Sequence, residues 1–361
     1  MSLRPLRAAL AALILAACAT PQAAPTPGRA PAPRPPPEYR RPEPTPPPPA
    51  TSRLLRLTDL PGWAAEDHAA ALAAFRETCH VARDPALAQV CRQARATGPL
   101  DRSDSRGFFE ANFRAEPSPP AGVLTAYFAP EYAARRDPSA EFSAPVRARP
   151  ADAALLTADR ATLEAIPPDR ALAWMRPEEL FFLQIQGSGV LTFEDGGRRK
   201  ALYAANNGHP FVGIANPMRE RGLLAGNNTS GDAIRGWLAE HRGPRAAEIM
   251  RLNPRYAFFS LAPDDGRQPV GAAGIPLPPG RAIAVDLSRH EVGEVFWLDA
   301  EAPILTGAFP TYRRLVTALD TGGAIKGEVR ADLYLGLGAE AGAEAGRVRH
   351  TLRMFKLVPA R

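Results

Sequence analysis

The stretch Asp320-Thr-Gly-Gly-Ala-Ile-Lys-Gly-Glu-Val-Arg-Ala-Asp332 joins two apolar strands through a glycine-punctuated turn. On its upstream side Leu315-Val-Thr-Ala-Leu-Asp320 reads as a strand ending in a carboxylate. On its downstream side the alternation from Val329 to Leu335 turns Val329, Ala331, Leu333 and Leu335 toward a core. Asp332 then shares the opposite face with Arg330 and Tyr334. The glycines do not follow the G-x-x-x-x-G-K-[ST] order of a phosphate loop. A third aspartate, Asp286, closes the apolar run Ala282-Ile-Ala-Val-Asp286 in the same manner. Carboxyls at the ends of hydrophobic strands are partly desolvated, which raises their pKa and suits them to general acid chemistry near neutrality. The simpler reading of any one of them is an aspartate that accepts turn amides.

Working outward, Gly122-Val-Leu-Thr-Ala-Tyr-Phe128 alternates as a strand with Val123, Thr125 and Tyr127 on one side. Leu180 to Gln186 is expected to be another strand, with Phe181, Leu183 and Ile185 opposite Phe182, Gln184 and Gln186. Two glutamines on one face, followed by Gly187-Ser188-Gly189, are expensive to bury unpaired, so they predict the lining of a polar ligand site. Val190 to Phe193 and Arg198 to Tyr203 flank Asp195-Gly196, a hairpin turn signal. Helices are expected where Leu72, Phe75 and Cys79 share a face, after Asp84-Pro85, after the Ser230 cap and from Arg245 to Leu252. Many short strands without regular crossover helices predict closed or partly closed barrels.

The whole chain has 361 residues, 45% of them apolar, with 44 basic and 38 acidic side chains. Arg4 and Arg7 precede the apolar run Ala8 to Ala17 and then Cys18. Ten helical residues make about 15 Å, half a bilayer core, so the run reads as a signal peptide over 1–17 and not as a membrane span. Leu15-Ala16-Ala17-Cys18 resembles the bacterial lipobox, which makes Cys18 the expected lipidation site. Fourteen of the 40 prolines lie between Pro21 and Pro49, so residues 18–52 read as a lipid anchor and extended tether, of which residues 20–50 could reach up to roughly 90 Å. Cys79 and Cys91 both face inward, and a disulfide and two reduced core thiols both fit. The six histidines show no metal-ligand spacing, so neither a metal nor a cofactor is expected. The arginines are scattered among acids without aromatic interleaving, which argues against nucleic acid as a partner.

Five motifs taken together, Phe181 to Gly189, Tyr203 with Asn207-Gly208, Asn253 to Phe259, Gly274 to Asp286 and Asp320 to Asp332, resemble the membrane-bound lytic murein transglycosylase A family. The resemblance runs from about Gly122 to the C-terminus. It implies a mainly β fold with some α: a double-psi β-barrel domain with N-terminal helices (53–132 and 256–361), a second β-barrel domain inserted at 133–255, and a substrate groove between them. It also implies an enzyme cleaving the β-1,4 bond between N-acetylmuramic acid and N-acetylglucosamine in peptidoglycan, closing a 1,6-anhydro ring. By position Asp332 matches the family's acid/base, and Asp320 and Asp286 its other two barrel aspartates. Thr125, Tyr127, Gln184, Gln186, Gly187, Ser188, Asn207, Thr321 and Gly322 are the expected substrate contacts. Ala126 stands where the family pattern expects Gly, and Phe128 where Tyr is common. The implied location is the outer membrane, lipid-anchored and facing the periplasm, with peptidoglycan strands and cell-wall synthesis or division proteins as partners. The rival readings are a non-catalytic peptidoglycan-binding lipoprotein, a hydrolytic muramidase, and an aspartic protease, which lacks its second Asp-Thr-Gly here.

Overall fold

The computed structural model describes residues 54–119, 122–168, 170–303 and 309–360. The signal peptide, Cys18 and the tether over 18–52 therefore lie outside the described residues. No described helix is long and apolar enough to cross a membrane.

Three helices open the described chain: α1 (His68–Thr78), α2 (Pro85–Ala96) and α3 (Arg102–Asn112). Asp67, Asp84 and Asp101 each accept an amide of the first turn that would otherwise be orphaned, which sets where each helix begins. Cys79 and Cys91 form a disulfide, with Cα atoms 5.5 Å apart, and so decide between the two states that the sequence allows. Phe75, Phe109, Phe113 and Trp63 pack with Trp297 into one buried cluster. Arg281 and Glu66 add an ion pair of 2.9 Å beneath it.

The strands are β1 (Phe113–Pro117), β2 (Gly122–Ala129), β3 (Glu131–Ala133), β4 (Ala144–Arg147), β5 (Ala171–Met175), β6 (Gly189–Thr192) and β7 (Arg198–Asn206). They continue with β8 (Ala257–Pro263), β9 (Ala282–Ala284), β10 (Val295–Pro303), β11 (Thr311–Asp320), β12 (Arg330–Leu337) and β13 (Arg349–Pro359). The largest sheet runs β1-β13-β10-β11-β9-β12-β2, and β2 also pairs with β13. That extra pairing closes β13, β10, β11, β9, β12 and β2 into a six-stranded double-psi barrel and removes its edges. Pairs β12–β2 and β11–β9 are parallel, whereas the other barrel pairs are antiparallel. Leu124, Ile283, Phe296, Val316, Ala331, Leu333 and Met354 fill the barrel. Gly122 is required where β2 starts alongside β12, because a Cβ there would sit 1.6 Å from the Val329 carbonyl oxygen.

Between β2 and β9 the chain builds a four-stranded sheet, β3-β6-β7-β8, and a two-stranded one, β4-β5. Six helices accompany them: α4 (Ala153–Thr157), α5 (Arg160–Ala165), α6 (Pro177–Gln186), α7 (Ala215–Glu220), α8 (Gly231–Glu240) and α9 (Pro244–Met250). The strand expected from Leu180 to Gln186 is in fact the body of α6. Pro177 fits the first helical turn, Glu178 and Glu179 favour the positive end of the helix dipole, and Gly187 ends it at φ 87°. The apolar run deceived because Leu180, Phe181 and Leu183 are all buried, and a helix packed on several faces shows the same unbroken hydrophobicity as a buried strand. A last helix, α10 (Gly338–Ala345), follows β12 and lies against β2. Tyr334, expected beside Asp332 on a polar face, is fully buried and donates its hydroxyl to Gln268 at 2.8 Å.

Candidate active site

Parallel pairing of β2 with β12 sets Thr125 directly opposite Asp332 and Tyr127 opposite Tyr334. Ala284 of β9 is in register with Asp320 on one side and Asp332 on the other. Two carboxylates twelve residues apart in sequence are thus brought to one end of the barrel by a strand that neither belongs to. Thr125 donates to Asp332 Oδ1. Two residues along the same strand, Tyr127 donates to Asp320 Oδ2 at 2.7 Å. The Ala272 amide occupies Asp320 Oδ1 at 3.0 Å.

Burial lifts both carboxyls above the ordinary aspartate range. At Asp332 this is opposed by the Thr125 hydroxyl and the Arg330 guanidinium and reinforced by the nearby Asp320. At Asp320 it is opposed by Tyr127 and by the Ala272 and Thr321 amides. Hydrogen bonding separates the two. Both oxygens of Asp320 act as acceptors, the pattern of an ionised carboxylate. Asp332 Oδ2 has no hydrogen-bond partner among the described residues, and the residue lines an open cleft. It is therefore suited to carry a transferable proton. Tyr127 is itself pushed well up by burial and by Asp320, so it stays a neutral donor.

Asp286 plays a different part. Its oxygens accept from the Gly327 amide at 2.9 Å, the Ser288 amide at 3.1 Å and the Ser288 hydroxyl at 2.9 Å. Those bonds, with Lys326 at 3.6 Å, hold it far below the usual carboxylate range. The side chain does not line the cleft; it clamps the 321–327 loop that does. Thr321 anchors the other end of that loop on the Val285 carbonyl at 2.9 Å.

The cleft measures about 280 Å³ and takes its walls from both the barrel and the inserted segment. Thr125, Tyr127, Gln184, Gln186, Thr321 and Gly322 all line it. Gln184 and Gln186 reach it from the end of α6, donating to the Ala257 carbonyl and accepting from the Phe128 amide respectively, both at 3.4 Å. Gly187 and Ser188 do not line it. Asn207 lies behind the wall, where its amide bridges the Ala158 and Pro254 carbonyls and the Tyr256 amide. Phe128 turns its ring against Gly342, where a Cβ would come within 2.7 Å.

Arg160, Phe211, Asn253, Arg255 and Ile325 also line the cleft and were not singled out from the sequence. Arg160 is buried, donates to the Asn253 and Arg255 carbonyls and so fixes the segment carrying Arg255. Arg255 lies against Gly323, whose missing Cβ would come within 3.3 Å of its guanidinium carbon. The only sequence signal for this wall was the Asn253 to Phe259 motif.

The fold and the site define a double-psi barrel protein that presents two aspartates to a cleft shared with an inserted α/β segment. Two family models match the chain, the MltA specific insert domain over residues 123–260 and the 3D domain over residues 281–358. The membrane-bound lytic murein transglycosylase A of Escherichia coli K12 is 34% identical over 244 residues, 66% of either chain. A membrane-bound lytic murein transglycosylase from Agrobacterium tumefaciens superimposes with a TM-score of 0.73 at 30% identity, covering 85% of this chain and 97% of that one. Escherichia coli MltA with bound chitohexaose gives a TM-score of 0.67 at 29% identity, covering 82% and 90%. This chain belongs to the membrane-bound lytic murein transglycosylase A family. The matched stretch spans 65% and 66% of the length of its first two curated relatives.

Proposed function

We propose that the protein is a peptidoglycan lytic transglycosylase that cleaves the β-1,4 bond between N-acetylmuramic acid and N-acetylglucosamine without water. The observation that carries this reading is the asymmetry of the two carboxyls: Asp320 has both oxygens occupied as acceptors, while Asp332, which lines the cleft, has no partner on Oδ2 among the described residues. Asp332 gives its proton to the glycosidic oxygen as the bond to the anomeric carbon breaks. Positive charge developing on the sugar is stabilised by the fixed carboxylate of Asp320. Asp332, now a carboxylate, takes the proton of the muramic 6-hydroxyl while that oxygen attacks the anomeric carbon. The products are a 1,6-anhydro end and a free 4-hydroxyl, and Asp332 is protonated again. Glycosidases that use water need a second carboxylate to manage it, whereas here the substrate supplies its own nucleophile.

In this reading Thr125, Tyr127, Gln184, Gln186, Thr321 and Gly322 face the glycan, and Gly187, Ser188 and Asn207 support it from behind. Residues 53–132 with 256–361 form the catalytic body, and 133–255 the insert. Cys18 carries the lipid that holds the protein at the outer membrane, facing the periplasm. The name of the chitohexaose-bound relative supports a β-1,4-linked glycan as ligand. The test is mass spectrometry of muropeptides released from purified peptidoglycan by the chain from Ser52 onward. Fragments lighter by one water than hydrolytic products are expected. Fragments of full hydrolytic mass would overturn the anhydro step.

A further inference from the structure

We propose that Thr125 and Arg330 are positioning residues that fix which oxygen of Asp332 carries its proton. The inference rests on the catalytic reading above and adds to it an assignment at the level of single atoms.

Arg330 and Asp332 lie two residues apart on β12, so their side chains leave the same face. Arg330 Nη2 approaches Thr125 Oγ1 to 2.9 Å, and its Nη1 is anchored on the Ala331 carbonyl at 2.6 Å. A guanidinium only donates, so Thr125 Oγ1 must accept from it. The threonine hydroxyl has one proton, and among the described residues its one acceptor is Asp332 Oδ1. A half-buried hydroxyl left without an acceptor is costly, so the proton points at Oδ1. Oδ1 is then an acceptor, and the aspartic acid proton is confined to Oδ2, the oxygen with no partner among the described residues.

The same chain of bonds acts after the proton has left. Thr125 then hydrogen-bonds a charged oxygen, and Arg330 stands behind it as the neighbouring cation. The other groups facing Asp332 are Asp320 from β11 and Tyr127 from β2, both shared with the rest of the site, while Arg349 of β13 bears on Arg330. Thr125 and Arg330 thus make Asp332 a stronger acid than its burial alone allows. Thr125 lines the cleft, as the sequence led one to expect, and in addition serves the acid itself.

The experiment uses Thr125→Val, Thr125→Ser and Arg330→Met in the full-length chain. Two readouts are taken: the infrared carboxyl titration of Asp332, isolated by subtracting Asp332→Asn, and the pH profile of kcat/KM on peptidoglycan. Asp332 must be protonated to begin the reaction, so activity is lost as pH rises through its pKa. In Thr125→Val and in Arg330→Met the carboxyl titration and the alkaline limb should both move up by roughly one unit, with kcat down about tenfold to a hundredfold. Thr125→Ser, which keeps the hydroxyl, should return both toward their wild-type positions. A purely structural role would lower the amplitude and leave both positions unmoved, and that result in the folded variants overturns the proposal. If the carboxyl titration moves but the wild type releases no fragments, the positioning stands and the catalytic reading fails.

Discussion

Tyr127 donates its phenolic proton to Asp320 across 2.7 Å, although the two residues are 193 positions apart in sequence. The bond joins the first strand of the barrel wall to the end of β11 and leaves Asp320 as an acceptor on both oxygens. Removing the donor leaves a desolvated carboxylate short of a partner, which costs more than the bond itself contributes.

Tyr127→Phe should therefore lower kcat/KM about tenfold to a hundredfold, the span of a lost hydrogen bond to a charged group. The ring stays, and with it the packing on Tyr334 at 5.2 Å between centroids, so the variant should still fold, with a melting temperature lowered by the carboxylate left short of a donor. Steady-state rates beside thermal melts check this. Unchanged kcat/KM would remove Asp320 from the mechanism.

Asp332 carries a stability penalty that follows from the direction of its pKa. Burial raises the folded-state value above the ordinary 3.8, so its contribution is intact below that pH and is lost as pH rises through the folded-state value. Asp332→Asn removes the titration. It should melt at or above the wild-type temperature at pH 7, and the two curves should converge below pH 3.8. A variant that melts lower at pH 7 would contradict the assignment of a buried acid.

Asp286 has the opposite sign. Its pKa is depressed by the Gly327 and Ser288 amides, so the stability it lends is present above 3.8 and disappears as pH falls through its folded-state value. Asp286→Asn should lower the melting temperature at pH 7, and the difference should shrink in acid. Activity should fall as well, because the 321–327 loop loses its clamp. Melting curves at pH 7 and pH 3 decide this.

The disulfide ties the end of α1 to α2 between cysteines twelve positions apart in sequence. Closing a loop of that size is worth about 3 kcal/mol in the chain-entropy view. Cys79→Ser with Cys91→Ser should lose about that much in urea unfolding, while a protein that still folds keeps its rate, since neither cysteine touches the cleft.

The carboxylates were legible in the sequence because strands that end in Asp-Thr-Gly, or break apolar alternation with Asp, stand out from ordinary packing. Thr125 and Tyr127 were legible as a polar face, but their partners were not. The contact Thr125–Asp332 depends on parallel register between β2 and β12, some 200 residues apart, and Tyr127–Asp320 on β9 joining β11 to β12, pairings of strands not adjacent in sequence, which no local pattern encodes. Leu180 to Gln186 was misread because periodicity fails where several faces of a short helix are buried. Even so, the two glutamines reached the cleft, since a helix C-terminus can deliver them as well as a strand end. Arg160 was invisible for a different reason: its role lies in backbone carbonyls 93 and 95 residues away.

The central claim is that one carboxyl, Asp332, is both acid and base. The most direct measurement compares wild type, Asp332→Asn and Asp320→Asn for anhydro-muropeptide release under single-turnover conditions. The account predicts a loss of about 10² to 10⁴ for Asp332→Asn, with the melting temperature held and a smaller loss for Asp320→Asn. If Asp332→Asn kept more than about a tenth of the wild-type rate, or if Asp320→Asn were the more severe change, Asp332 would not be the proton carrier.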